Sequence, residues 1–335
     1  MTTLVSGGAG YVGSHTVAAL HEAGRDVVVL DDFSNARRDA VAELRRLTTP
    51  DLVVIEGDAA DRTAVRQLCD EHDFDSIMHF AAHKSVPESF ADPLRYYRNN
   101  LLSTLSLAEI AVERGIDRFV FSSSAVVYGT PEQLPVSEET PPAPQSPYGT
   151  TKLMCERILA DTAASSAMQA VILRYFNPVG AHPSGRIGEQ PITAGQNLVP
   201  AVMRAALGAL SRLQIFGDDY DTRDGTAVRD FVHVTDLAAG HVAALQSDLG
   251  TRRSRVFNLG TGAGTTVLEL VAAAEAVTGR PIPCEIVGRR PGDIAESWAD
   301  CSRAEDELGW RAQRDLRQML ADHWRFASSC AEISV

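Results

Sequence analysis

Lysine is almost absent from this chain. Of its 31 lysine and arginine residues only two are lysine, Lys84 and Lys152. Lys152 follows Tyr148 by four residues, and on a helix these two positions share a face. Because a nearby cation stabilises a phenolate, the pair is a candidate acid and base. The alternative is an interior tyrosine next to a solvated lysine, and the spacing alone favours neither.

Other patterns are missing as well. The five cysteines are widely scattered without C-x-x-C spacing, and the nine histidines form no H-E-x-x-H pattern, so neither a disulfide framework nor a metal site is indicated. No apolar run is long enough to span a bilayer and no signal-like segment precedes the first apolar run, so we expect no membrane partner and a cytoplasmic location. A net charge of -13 argues against nucleic-acid binding, which needs a basic stripe.

Short apolar runs alternate with helical patterns through the first half of the chain. The runs are continuous, as expected for strands buried on both faces, and they predict an α/β fold with a doubly wound parallel sheet. The pattern loosens after Asn177, so we predict a first domain over 1–175 and a smaller C-terminal α/β lobe over 176–335, with some chain returning to the first domain. The predicted strands are 4–5, 27–30, 52–55, 77–80, 119–121, 171–173, 213–216 and 256–259, and the predicted helices include 13–23, 101–113, 236–246 and 266–278.

A glycine-rich turn joins the first strand to the first helix. Gly7, Gly10 and Gly13 permit a tight turn, close approach of the backbone to a pyrophosphate, and close packing of helix and strand. The spacing is G-x-x-G-x-x-G, which alone is weak, but the strand and helix around it indicate a dinucleotide site.

Asp31 ends the second predicted strand. A carboxylate there bonds the adenine ribose hydroxyls and repels a 2′-phosphate, so it favours NAD over NADP. Arg37 and Arg38 lie close enough in sequence to hold a 2′-phosphate, which keeps NADP as the alternative. Asp58 follows the third strand and is placed to meet the adenine. The first domain is therefore predicted to bind NAD.

The motifs together resemble the extended short-chain dehydrogenase/reductases, and among them the UDP-hexose 4-epimerases, over nearly the whole chain. The similarity rests on the glycine turn, the serine run that ends at Ser124, and the tyrosine–lysine pair. It also includes the segments 79–82, 121–129 and 144–149. The segments 173–183 and 228–234 are more specific than the glycine turn.

The resemblance implies a role for each matching position. Tyr148 matches the acid/base, Lys152 the residue that lowers its pKa and holds the nicotinamide ribose, and Ser124 the one that bonds the sugar hydroxyl. The positions that match the NAD site are Gly7, Gly10, Tyr11, Val12, Gly13, Asp31, Asn35, Asp58, Ala59, Phe80, Ala81, Lys84, Asn99, Ser122, Tyr148, Lys152 and Phe176. The positions that match the UDP-sugar site are Ser124, Tyr148, Asn177, Asn197, Gln214, Phe216, Arg229, Arg290, Asp293 and Ser297.

The activity implied is reversible inversion at C4 of UDP-glucose and UDP-galactose through a transient 4-ketose. Related dehydratases carry an acidic pair beside the serine position, but Ala125 follows Ser124 here, which disfavours that reaction. UDP-glucuronate or UDP-pentose 4-epimerases share the same core and stay as alternatives. An alternative of another class is a non-catalytic NAD-sensing protein, although such proteins commonly lose the tyrosine or the lysine.

Two further expectations come from the resemblance. Ser297 stands where some relatives have a bulky tyrosine, and a small residue there accompanies a pocket that admits UDP-GlcNAc and UDP-GalNAc; neighbouring side chains filling the space is the alternative. The family usually forms a homodimer through two helices of each subunit. The apolar residues that would contact the partner, or instead belong to the core, are Leu101, Leu102, Leu105, Ile110, Met154 and Ile158.

Overall fold

A computed structural model describes residues 1–190, 197–290 and 292–333. The strands are β1 (Thr2–Ser6), β2 (Asp26–Asp31), β3 (Val53–Glu56), β4 (Ser76–His79), β5 (Arg118–Ser122), β6 (Gln169–Tyr175), β7 (Asn177–Val179), β8 (Leu213–Phe216), β9 (Val228–Arg229), β10 (Phe231–His233), β11 (Ser254–Leu259), β12 (Thr265–Thr266), β13 (Cys284–Val287) and β14 (Glu296–Ser297). The α-helices are α1 (Tyr11–Glu22), α2 (Arg38–Leu47), α3 (Arg62–Glu71), α4 (Val86–Ala91), α5 (Pro93–Arg114), α6 (Pro147–Ala164), α7 (Leu198–Ala206), α8 (Val234–Gln246), α9 (Val267–Thr278), α10 (Ser302–Leu308) and α11 (Leu316–Ile333), and a 3-10 helix spans Ala125–Tyr128.

Seven strands form one parallel sheet in the order β11-β6-β5-β4-β1-β2-β3. From β1 the chain proceeds outward to β2 and β3, and it then returns to add β4, β5 and β6 on the other side. This reversal opens a crevice between the carboxyl ends of β1 and β4, which is where open α/β sheets bind their ligands. The predicted doubly wound parallel sheet is confirmed.

Helices cover both faces of the sheet. Apolar residues of α3, α5 and α6 pack on one face, with Leu107, Phe119 and Leu159 fully buried. On the other face α1 and α8 pack against each other and the sheet, with Val17 and Leu237 fully buried. The central strands of the sheet are therefore enclosed by apolar side chains, which explains why their sequences are largely apolar.

The C-terminal lobe is built from short elements. A third core packs α7, α9 and α11 together around Leu270 and Leu320. Two- and three-stranded sheets accompany it, in which β8 pairs with β13 and β9 lies between β12 and β14. Beyond residue 176, β11 joins the edge of the large sheet and α8 packs on α1. The domain boundary at 175 itself stays a prediction.

The helix predicted over 101–113 begins earlier, at Pro93. The Asp92 side chain accepts a hydrogen bond from the Arg95 amide, and proline is favoured in a first helical turn because its missing N–H has no partner there anyway. The helix ends at Arg114, one residue after the predicted end, and Gly115 follows in a left-handed conformation (φ 67°).

Candidate functional site

The glycine turn brings two strand ends very close together. Gly7 has a φ of 72°, and a Cβ atom on it would lie 2.6 Å from the Ala81 amide nitrogen, at the end of β4. A Cβ on Gly13 would collide with the Gly7 carbonyl. The turn therefore accepts only hydrogen at both positions. Helix α1 starts directly after it, so the free N–H groups of its first turn face the crevice as an anion site.

Asp31 lies at the carboxyl end of β2, beside this turn. Its carboxylate accepts hydrogen bonds from the amides of Ala9 (2.9 Å) and Phe33 (3.0 Å). Burial raises the pKa of this carboxyl, while the two amide bonds lower it in part. Asp31 thus fastens the turn to the next strand at the point where a ribose is expected.

Arg37 and Arg38, which kept NADP as an alternative cofactor, both form ion pairs with carboxylates. Arg37 pairs with Asp39, and Arg38 pairs with Glu56 while its guanidinium lies 4.7 Å from the centre of the Phe33 ring. Exposed ion pairs of this kind are weak, so the preference for a ribose without a 2′-phosphate rests on Asp31.

A cavity of about 110 Å³ occupies the crevice. Fourteen of the seventeen residues predicted for the cofactor line it; Tyr148, Lys152 and Phe176 do not. Phe176 is instead buried with Tyr128 and Val136. Most lining residues that the sequence did not single out are chain neighbours of predicted ones; they are Leu30, Asp32, Ser34, Ala36, Gly57, Ala82, His83, Ser103 and Tyr175.

Tyr148 and Lys152 are both buried on α6. Helix α6 begins after Ser146, whose hydroxyl caps the Gly149 amide at 3.1 Å. The Lys152 ammonium donates to the Ser122 carbonyl at 2.7 Å and lies 4.8 Å from the centre of the Phe121 ring. Burial lowers the Lys152 pKa to about 8.

Burial raises the pKa of the Tyr148 phenol far above its ordinary value, and the neighbouring Ser124 hydroxyl lowers it in part. Lys152 directs its ammonium to a carbonyl rather than to the phenol. Its lowering of the Tyr148 pKa stays a prediction.

A buried ion pair supports the serine run. Arg174 of β6 donates to Glu156 of α6 (Nη2–Oε2 2.6 Å), and the same carboxylate accepts a hydrogen bond from the Ser123 hydroxyl. On the crevice side, the Ser122 hydroxyl and the Tyr175 hydroxyl are 2.7 Å apart. The segment that carries Ser124 is therefore held by the ion pair through Ser123 and by Tyr175 through Ser122. Glu156 was not predicted, although its position four residues after Lys152 places it on the same helix face.

The predicted nucleotide arginines lie in the lobe. Arg229 of β9 is the register partner of Ser297 of β14, and its guanidinium donates to the Val228 carbonyl at 2.9 Å. Burial lowers the Arg229 pKa, and Asp293 raises it in part. The Arg290 guanidinium lies 4.1 Å from the centre of the Phe216 ring. These contacts place Arg229 near Ser297 and Asp293, and they place Arg290 against Phe216.

The other predicted substrate residues are more dispersed. Asn177 is exposed on β7, which pairs with β10, and Gln214 is exposed on β8. Asn197 precedes α7 and donates to Glu189. Asp230 lies in the segment 228–234 that carries the resemblance, but no role was predicted for it. Its buried carboxylate accepts hydrogen bonds from the amides of Gly262 and Ala299 and so ties the lobe loops to β9.

Helices α5 and α6 leave an apolar outer face. Leu102, Leu105 and Met154 are exposed there. Ile110, in contrast, is fully buried in the core and is unavailable to a partner. In the described parts of the chain, no helix is long and apolar enough to cross a membrane. Over the same residues, no cluster of three histidine, cysteine or acidic side chains is arranged to hold a metal ion.

Comparison with known proteins gives similarity over almost the whole chain. A family model described as GDP-mannose 4,6 dehydratase matches residues 4–323. The UDP-glucose 4-epimerase of Bacillus subtilis (strain 168) is 49% identical over 330 residues, which cover 98% of this chain and 97% of that protein.

Two crystal structures are similar at the level of the whole fold. UDP-glucose 4-epimerase from Bifidobacterium longum, in complex with NAD+ and UDP, has a TM-score of 0.95 and 44% identity, with 98% of each chain covered. The enzyme from Stenotrophomonas maltophila, with bound NAD and formylated UDP-arabinopyranose, has a TM-score of 0.96 and 45% identity, with 99% of each chain covered.

Proposed function

The chain belongs to the UDP-glucose 4-epimerase family of the extended short-chain dehydrogenase/reductases, and we propose that it interconverts UDP-glucose and UDP-galactose with NAD as its cofactor. The observation that carries the proposal is the position of the acid/base group. Lys152 bonds the Ser122 carbonyl, Ser124 neighbours the Tyr148 phenol, and Ser122 with Tyr175 lines the crevice.

The crevice residues fit a dinucleotide. Gly7 and Gly13 keep the turn tight, so that a pyrophosphate can approach its backbone, and Asp31 lies where the adenine ribose would bind. Relatives of known structure hold NAD. When bound, NAD+ supplies a hydride acceptor for C4 of the sugar and a positive charge close to the phenol.

Tyr148 is the proposed base. As a phenolate it takes the proton from the sugar 4-hydroxyl, and it returns that proton to the 4-keto oxygen when the hydride comes back. Ser124 hydrogen-bonds the same hydroxyl and holds it in line with the phenol. Lys152 positions the nicotinamide ribose, and its ammonium favours the phenolate once further positive charge is present.

The lobe anchors the nucleotide. Arg229 and Arg290 present guanidinium groups that suit the oxygens of a diphosphate. Asn177, Asn197 and Asp293 are the proposed further contacts to UDP. Firm anchoring of the diphosphate leaves the 4-ketose free to turn over and present its other face, which inversion requires.

Tyr148→Phe tests the scheme. The variant keeps the ring but lacks the hydroxyl, so we expect turnover to fall by about a thousandfold or more while UDP still binds. Proton NMR of purified protein with UDP-galactose, without added NAD, measures appearance of the C4 epimer. Tyr97→Phe, a half-buried tyrosine of α5 outside the site, is the matched control and keeps full activity. Full activity in Tyr148→Phe would rule out the mechanism.

The same assay separates the alternatives. UDP-glucuronate and UDP-xylose, offered under the same conditions, test the uronate and pentose activities; one relative holds a formylated UDP-arabinopyranose. Turnover of one of these and not of UDP-galactose would replace the proposed substrate. Absence of any epimer, with NAD released on denaturation, would favour the NAD-sensing role.

A second proposed activity is interconversion of UDP-GlcNAc and UDP-GalNAc. Ser297 is a small, partly exposed side chain on β14, directly beside Arg229. A phenol ring there would fill the space that an acetamido group needs. Ser297→Tyr is expected to lower kcat/KM for the acetamido sugar at least tenfold and to spare the plain hexose, in the same NMR assay. Equal loss of both activities would contradict the idea.

We also propose a homodimer through the outer face of α5 and α6. Leu102, Leu105 and Met154 supply its apolar contacts, since they are exposed on adjacent helices. Sedimentation equilibrium of the purified protein measures the mass of the assembly.

A further inference from the structure

The buried carboxylate of Glu189 lies between the two predicted binding sites. Only 8% of this residue is exposed. Its Oε1 atom accepts hydrogen bonds from the Lys84 ammonium, at 3.3 Å, and from the Asn197 side-chain amide. Lys84 lines the crevice predicted for the cofactor, and Asn197 belongs to the set predicted for UDP. One oxygen atom therefore joins a donor of each site.

The chain before Glu189 is closely fixed. Ala181 and Gly188 form an antiparallel bridge, and the His182 amide donates to the Ile187 carbonyl at 3.0 Å. Gly188 packs so tightly on the Phe326 ring of α11 that a Cβ atom would collide with it. Glu189 follows this bridge directly, so its carboxylate has a defined position rather than that of a side chain in a loose loop.

The carboxylate does not serve as a ligand for phosphate. Near an anion site a carboxylate repels the ligand, and it can only accept hydrogen bonds. The neighbouring Tyr11 hydroxyl donates instead to the Gly180 carbonyl at 2.7 Å, so it does not compete for Glu189. Glu189 therefore serves to hold the Lys84 ammonium and the Asn197 side-chain amide in place.

We propose that Glu189 is a positioning residue that couples cofactor retention to nucleotide binding. It holds the Lys84 ammonium on the crevice side and orients the Asn197 amide on the other side. A ligand that fixes Lys84 or Asn197 then also fixes the Glu189 carboxylate, which bonds the donor of the other site. The inference rests on the proposed function for the identity of the two ligands, NAD and UDP.

Two variants of Glu189 test the coupling. Glu189→Ala removes the shared acceptor, so we expect the Kd for UDP to rise about tenfold and bound NAD to be lost on gel filtration. Glu189→Gln keeps a neutral acceptor oxygen, so it should restore the Kd to within about threefold. Calorimetric titration with UDP gives the Kd, and NAD released on denaturation gives the cofactor content. A merely structural role would not produce rescue by glutamine.

A double-mutant cycle tests whether Glu189 acts through Asn197. Asn197→Ala alone should raise the Kd for UDP to a similar extent, and the double variant should be little worse than either single one. Glu138→Gln is the control, because this buried carboxylate accepts from the Asn258 amide and pairs with Arg303 away from both ligands. It should lower the thermal midpoint and leave the Kd unchanged.

Two results would overturn the inference. One is an unchanged Kd and cofactor content in Glu189→Ala; the other is full additivity of the Glu189 and Asn197 effects. Neither assay reads turnover. A protein that shows the coupling and yet leaves UDP-galactose unchanged would defeat the proposed function and leave the inference standing.

Discussion

The cofactor crevice and the predicted nucleotide site are built by different means. In the crevice the backbone itself forms the wall, and Gly7 and Gly13 leave no space for even one methyl group. In the lobe, long side chains form the site, with Arg290 over the Phe216 ring and Arg229 bonded to a strand carbonyl. The first arrangement suits a ligand that stays bound. The second suits the proposed anchoring of a diphosphate, which leaves the attached sugar free to turn over.

The largest effect expected from this contrast is at Gly7. Gly7→Ala places a methyl group against the end of β4, so the turn must open; we expect cofactor loss and a fall in turnover of about a hundredfold or more. Gly208→Ala is the matched control. Gly208 has nearly the same φ (76° against 72°), but nothing lies within 4 Å of its Cβ position.

The control therefore carries the same backbone strain without the collision. It should retain NAD and lose only about 1 kcal/mol of stability. NAD content after gel filtration and the thermal midpoint measure both effects. If the two variants lost cofactor equally, the left-handed backbone conformation would explain why position 7 is glycine, and the close contact with Ala81 would not.

Features that depend on neighbours in sequence were predictable. The glycine turn, Asp31 at a strand end and the helical spacing of Tyr148 and Lys152 are all local patterns, and the structure brings them to one edge of the sheet. Most of the crevice lining followed from them, because carboxyl ends of parallel strands meet at one place.

Features that depend on long-range packing were not predictable. The Glu156–Arg174 pair joins α6 to β6, and Glu189 meets Lys84 across 105 positions of sequence. Glu189 has no local signature, and the helical spacing of Glu156 from Lys152 does not reveal its partner on β6. Likewise Ile110 and Leu102 are both apolar residues of α5, but only the packing of α3 and α6 decides that the first is buried and the second exposed.

A medium effect concerns acid stability, in which a histidine buried beside the crevice differs from one at the surface. His241 of α8 is buried against Phe80, with ring centres 4.8 Å apart, and burial lowers its pKa to about 4. The unfolded chain takes up the proton first as the pH falls below about 6.5, so the contribution of His241 to stability is complete above that pH and is lost progressively towards pH 4.

We expect this histidine to account for about 2 kcal/mol of the stability lost between pH 7.5 and pH 5. His241→Leu removes Nε2, which has no hydrogen-bond partner, and Nδ1, which bonds the Leu237 carbonyl at 2.9 Å. It should flatten the pH dependence of urea unfolding by that amount. His21→Leu, at an exposed position of α1, should leave it unchanged. An identical slope in the wild type and in His241→Leu would contradict the assignment.

The smallest effect is expected in the lobe, at Phe216. The ring of Phe216 supports the Arg290 guanidinium at 4.1 Å, and such a contact contributes about 0.5–1 kcal/mol when partly exposed. Phe216→Leu should raise KM for UDP-galactose about threefold with kcat unchanged, because Arg290 anchors the nucleotide and takes no part in proton transfer. Tyr220→Leu is the matched control, since Tyr220 supports Arg289 at the same distance and Arg289 is paired with Asp219. A rise in KM shared by both variants would indicate general loosening of the lobe. A fall in kcat confined to Phe216→Leu would show that the lobe contributes to the chemical step as well as to binding.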